Sequence, residues 1–102
     1  IDFAATDWTP AVVNSTEDLL QLLDNSIDKA LKALQEIKED DLLQTWTIKN
    51  GDQLLQAMTK FESIRHAYSQ TTHHRAQLGV YLRLLDIPVP ASYGPSADDP
   101  GM

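Results

Sequence analysis

The sequence predicts an all-α protein, a hairpin of two long amphipathic helices. Three observations predict it. Leu20, Leu23, Ile27, Ala30, Leu34 and Ile37 recur at alternating three- and four-residue steps, the a/d stripe of a helix. Leu54, Met58, Phe61, Ile64, Tyr68, Leu78, Leu82 and Leu85 mark the buried face of a second, longer helix. Between the two runs lies one break, where Asn50–Gly51 signals a turn.

Taken in order, residues 1–14 read as irregular or extended, with Trp8, Pro10, Val12 and Val13 as apolar anchors. The stretch "NSTED" opens the first helix, expected over residues 16–38. Ser15 can cap backbone N–H groups, and Asp18 stands at the capping-box position three residues on. Glu17 and Asp18 also suit the positive end of the helix dipole. Leu19, Leu22 and Leu31 widen the stripe, so this helix is expected to meet more than one neighbour. Residues 39–51 form a turn and a short extended segment, in which Trp46 and Ile48 alternate with threonines. The second helix is expected over residues 52–85, roughly 50 Å at 1.5 Å per residue. Gly79 within it permits close packing or a slight bend. The tail, residues 86–102, holds Pro88, Pro90, Pro95 and Pro100 and cannot be helical. It reads as a surface wrap pinned by Val89 and Tyr93.

Composition excludes several functions. The 102 residues allow one domain, and 42% of them are hydrophobic, ordinary for a globular chain. There is no cysteine, so disulfides, thiolate nucleophiles and cysteine zinc sites are all ruled out. The net charge of −7 and the scattered Lys and Arg leave no basic stripe for nucleic acid and no attraction to an acidic membrane. No apolar run is long enough to span a bilayer, and no signal segment opens the chain. A cytoplasmic location is therefore expected. The opening "IDFAATDW" lacks Met and reads as a trimmed product or a fragment. No nucleophile elbow, Walker loop or Rossmann glycine pattern is present.

The informative stretch is "QTTHHRAQL", Gln70 to Leu78. Here Gln70, Thr71, Thr72, His74 and Arg75 interrupt the apolar stripe, and a polar layer inside a bundle is costly unless satisfied. His66, Gln70 and His74 stand at i, i+4 and i+8 on one face. No two histidines are four apart, and His66 and His74 are separated by roughly 12 Å of helix, too far for easy shared ligation. The ordinary alternatives are a half-buried His66 at a helix flank, a His73 facing solvent or a partner helix, and a His74 satisfied by a neighbouring helix. Arg75 can pair with carboxylates such as Asp18 or Glu17, or with tail carbonyls.

"HHRAQLGVYLRLLDIPVPASYGPSADD", His73 to Asp99, and "WTIKNGDQLL", Trp46 to Leu55, resemble the DinB family, the DinB/YfiT-like metalloenzymes. The resemblance implies a four-helix bundle of which this chain supplies only the C-terminal part. The rest of the bundle would come from a second chain or from missing N-terminal helices. It also implies a divalent metal, often zinc or nickel, held by three histidines. One lies on an earlier helix and two form an H-x-x-x-H pair on the last. His74 matches the second of that pair, and Gln70 stands where the first belongs. His66 substitutes only if the helix geometry changes.

Three functional readings follow. The first is a DinB-like protein of unknown specific activity, assembled as a homodimer. The second is a metal-dependent thiol-cofactor transferase or hydrolase, with His74 as ligand, Gln70 as weak ligand or substrate contact, and Arg75 or Tyr81 as accessory groups. The third is a metal-free small-molecule site lined by Gln70, His73, Arg75, Tyr68 and Tyr81.

Overall fold

The first helix, α1, runs Thr16–Glu36. Its start follows the sequence closely. Ser15 takes an extended backbone, and its hydroxyl accepts the Asp18 N–H at 3.1 Å. The Asp18 carboxylate accepts the Asn14 N–H at 3.1 Å, one residue outside the reciprocal capping box. The helix ends where Ile37 turns extended while its N–H still reaches the Ala33 carbonyl. A 3-10 turn, Glu39–Leu43, follows. These elements come from a computed structural model that describes residues 1–7 and 9–101; the Trp8 anchor lies outside the described residues.

The all-α hairpin expectation is corrected by what comes next. Strand β1, Thr45–Asn50, pairs antiparallel with strand β2, Gln53–Thr59. The second helix, α2, begins only at Lys60 and runs to Leu84. The described residues therefore form two α-helices plus a two-stranded sheet, not a helical hairpin from an all-α four-helix bundle. Residues 53–59 carry apolar side chains at spacings that a helix or a strand can use. Asn50–Gly51 decides between them. It leaves a two-residue loop, Gly51–Asp52, with Gly51 at φ +59. A positive φ at the first loop position only is the signature of a type II′ hairpin turn, whose twist suits paired strands. Thr45, Trp46, Thr47 and Ile48 add β-branched and aromatic residues on one side of the pair. Register runs from Thr45↔Thr59 to Ile48↔Gln56, then slips by one at Lys49↔Leu54, which leaves Leu55 as the bulged residue.

The N-terminal residues are tied to this hairpin. Phe3 donates its N–H to the Lys49 carbonyl at 2.9 Å, and Lys49 donates to the Ile1 carbonyl at 3.0 Å. Asp2 accepts the Gly51 and Ala4 N–H groups, each at 3.0 Å, and pairs with Lys49 at 3.3 Å. These bonds, led by that from Gly51, hold the Asp2 carboxyl below its ordinary range.

Both ends of α2 are closed by local motifs. Thr59 Oγ1 accepts the Glu62 N–H at 3.1 Å, and the Glu62 carboxylate accepts the Thr59 N–H at 2.8 Å. This is a complete capping box, T-x-x-E. At the far end Ile87 donates to Leu82 at 2.9 Å and Asp86 to Arg83 at 3.2 Å, with Asp86 at φ +56. That is a Schellman stop with Asp86 where glycine is usual, and Pro88 follows it.

Two compact units result, Ile1–Ser63 and Ile64–Met102. Neither contains a fully buried side chain among the described residues. A two-stranded hairpin is marginal alone, and α1 exposes seven leucines and isoleucines by 38–55%. No helix among the described residues is long and apolar enough to cross a membrane.

Candidate functional site

At about 100° per residue, α2 presents three distinct faces. His66, Gln70, His74, Gln77 and Tyr81 fall along one. Phe61, Ile64, Tyr68, Leu78 and Leu82 form an adjoining apolar stripe. Ala76, Gly79, Val80 and Arg83 lie on the side away from His74, and there the tail is seated.

On the histidine face, His74 Nδ1 lies 3.0 Å from the Gln77 side-chain carbonyl. In the Nδ1–H tautomer the ring donates to that carbonyl and Nε2 keeps its lone pair. One turn earlier, the Gln70 amide nitrogen lies 3.4 Å from His66 Nε2. His73 meets His74 edge to face, with ring centroids 5.2 Å apart. Tyr81 shares the His74 face, and Tyr68 belongs to the apolar stripe, so the helix does not bring the two tyrosines together. Both are more than 60% exposed. Arg75 sits at a stripe position. Among the described residues no hydrogen bond joins it to the tail carbonyls.

The polar interruption of the stripe has a local explanation. The hydroxyls of Ser69, Thr71 and Thr72 donate to the carbonyls of Arg65, Ala67 and Tyr68 at 3.1, 3.1 and 3.2 Å. Each is satisfied within its own helix.

A metal held by three histidines needs three donors converging on one point. Among the described residues no three of His, Cys, Asp or Glu do so. Gln70 offers an amide where an imidazole is needed, and His66 is two turns from His74. The described residues therefore do not assemble a three-histidine centre.

A polar cluster closes the tail, which the sequence marks only as a surface wrap and a family signature. It lies in "VPASYGPSADDPG". Ser96 donates its hydroxyl to the Val89 carbonyl at 2.6 Å and accepts the Asp98 and Asp99 N–H groups at 3.1 and 2.9 Å. Asp98 pairs with Arg83 at 2.5 Å and accepts the Val89 N–H at 2.9 Å. Asp99 accepts the Ala91 and Gly101 N–H groups at 2.9 and 3.0 Å. The tail thus folds into a clasp on α2. The tail crosses α2 at Gly79, where a Cβ would stand 3.7 Å from a Val89 methyl, an ordinary contact. Val89 is half-buried, whereas Tyr93 is 94% exposed and pins nothing. A shallow groove of about 410 Å³ runs beside the clasp, between Arg75, Val80 and Val89. The signal available in sequence was the Ser-x-Asp-Asp spacing, which favours side chain-to-backbone turns.

The Arg83 pair first, then the Val89 amide, hold the Asp98 carboxyl below its ordinary value of 3.8. The Ala91 and Gly101 amides do the same for Asp99. The signature tail on which the family resemblance rested is, in this chain, a structural fastening on the side of α2 away from His74.

Searches of curated proteins and of solved structures return no match. A comparison with protein-family models does, and it covers residues 3–101. The match reaches well before Trp46, across nearly the whole chain, rather than the C-terminal motifs alone. On this match, the chain belongs to the DinB family.

Proposed function

We propose that this chain is a DinB-family subunit that works as a self-associating interaction protein, a homodimer whose helix faces cover one another. The observation that carries the reading is the exposed apolar surface of α1. Leu19, Leu20, Leu22, Leu23, Ile27, Leu31 and Leu34 are all more than a third exposed along one helix. Contiguous apolar patches on that scale mark association surfaces. Burying one such side chain fully stabilises by about 1.5–3 kcal/mol, so covering the stripe offsets the entropic cost of association. Light scattering on a sizing column tests the reading. The expected mass is twice the 11.4 kDa of the chain. A monomer across the micromolar range refutes it.

A second reading is a metal-dependent transferase or hydrolase, favoured by the His74–Gln77 bond. In its Nδ1–H tautomer that contact leaves Nε2 free, as the carbonyl partners of metal-bound histidines do. In this reading His74 is one ligand of a zinc or nickel ion, with Gln70 as a weak ligand or substrate contact and Arg75 or Tyr81 as an accessory group. Metal analysis of untagged protein tests it. Near-stoichiometric metal, lost on His74→Ala, supports it, and a trace amount unchanged by added zinc or nickel refutes it.

A further inference from the structure

We propose that Asn50 is a site of spontaneous deamidation, and that Asp2 controls how fast it reacts by holding the Gly51 amide. The reaction is the internal chemistry of an Asn-Gly pair. The Gly51 nitrogen, its proton lost to hydroxide, attacks Cγ of Asn50. A new C–N bond forms and the bond to the side-chain nitrogen breaks. That nitrogen takes a proton from water and leaves as ammonia. Water then opens the five-membered imide at either carbonyl, leaving an aspartyl or an isoaspartyl link. No oxidant, reductant or second protein is needed. Glycine is the following residue that hinders this attack least, because it has no Cβ. Asn50–Gly51 is the only Asn-Gly pair in the sequence.

The attacking nitrogen is under a specific restraint. In a two-residue hairpin loop the strand bonds join the residues on either side, here Asn50 and Gln53. The turn itself therefore makes no use of the Gly51 N–H. Asp2 does. Its Oδ1 accepts that N–H at 3.0 Å and the Ala4 N–H at 3.0 Å, while its Oδ2 meets Lys49 Nζ at 3.3 Å. The Gly51 bond is the leading cause that holds the Asp2 carboxyl below its ordinary range, so the acceptor is ionised near neutral pH and the bond is charge-assisted. The N-terminal segment also lies against the turn, since a Cβ on Gly51 would stand 3.9 Å from that of Ala4. Ring closure needs the Gly51 nitrogen swung onto Asn50 Cγ by rotation about the Asn50 Cα–C bond. Asp2 opposes that rotation, and its negative charge opposes loss of the proton. All of these groups lie within the one compact unit Ile1–Ser63. An isoaspartyl link adds a main-chain carbon where the loop must close, so conversion uncouples Asn50 from Gln53.

Peptide mapping by mass spectrometry, after storage near neutral pH at body temperature, tests this. In the folded wild type Asn50 is expected to convert at least about tenfold more slowly than in urea, and Asp2→Ala is expected to convert about tenfold faster than wild type, the scale of one charge-assisted hydrogen bond. Lys49→Met removes the ion pair and keeps the Gly51 bond, so it is expected to react as wild type does. Asp2→Asn keeps an acceptor oxygen without the charge and is expected to fall between wild type and Asp2→Ala. It carries the test if amide exchange shows that Asp2→Ala loosens the strands. An Asn50 that stays intact in urea overturns the site. Equal rates in wild type, Asp2→Ala and Asp2→Asn, or a Lys49→Met rate as fast as that of Asp2→Ala, overturn the role of Asp2.

Discussion

Ser96→Ala is the most discriminating change to the fold. The hydroxyl makes three hydrogen bonds, one donated to Val89 and two accepted from Asp98 and Asp99. A typical intramolecular hydrogen bond contributes about 1 kcal/mol net, so full additivity would give about 3 kcal/mol. Ser96 is only half-buried, and water will re-solvate part of what is freed. A loss of about 1–2 kcal/mol in the closing of the clasp is therefore expected. That corresponds to roughly a five- to thirtyfold rise in the population with the clasp open. Amide exchange by NMR reads it directly at Asp98 and Asp99, with the α1 amides as internal reference. Tyr93→Ala, at a fully exposed position, should leave the same amides unchanged. Exchange at Asp98 and Asp99 that accelerates less than twofold in Ser96→Ala would refute the claim that this hydroxyl holds the clasp.

Thr59→Ala should cost about 1 kcal/mol by removing one half of the capping box, seen as faster exchange at the Glu62 amide. Gly79→Ala should stabilise α2 by up to about 1 kcal/mol, because the new Cβ meets Val89 at ordinary contact distance; a lower melting temperature would show that the seat is tighter than this. Acid should release the clasp. Asp98 and Asp99 are more acidic folded than unfolded, so their contribution is complete above 3.8 and is lost as pH falls through the lowered values. Protection of the Val89 and Ala91 amides, followed by pH titration, should begin to fall only near that value; a loss already under way near neutrality would contradict the assignment.

Local signals were readable where one principle acts alone. Ser15 announces α1, and the a/d stripe carries it to within two residues of its observed end. The T-x-x-E box at Thr59–Glu62 was equally local, but the assumption of one continuous helix from residue 52 hid it. Leu54, Met58 and Phe61 look helical by spacing, and it takes the Asn50–Gly51 turn together with the cross-strand partners of Trp46 and Ile48 to make residues 53–59 extended. Pairing of that kind is not written in either segment alone. The polar interruption at Thr71 and Thr72 suggested a site because hydroxyls on a bundle face need partners, and the helix's own carbonyls provide them. The bonds that make the wrap a clasp are long in sequence for a related reason. Ser96 and Asp98 reach residues seven to fifteen positions away, and a proline-rich tail gives no periodicity by which to foresee the connection. The spacing of His66, Gln70 and His74 already argued against a closed three-histidine centre, and among the described residues no such group converges.

The single hairpin has a further consequence for handling the protein. Asp2 bridges to β1 at Lys49, whereas β2 has no second neighbour among the described residues. Its outer row of backbone groups, along "QLLQAMT", carries no charge and no proline. Such an edge is a template for any passing extended chain. Concentrated stocks should therefore lose material by strand addition before they lose it by unfolding, and a lysine placed in β2 would be the first remedy for turbidity.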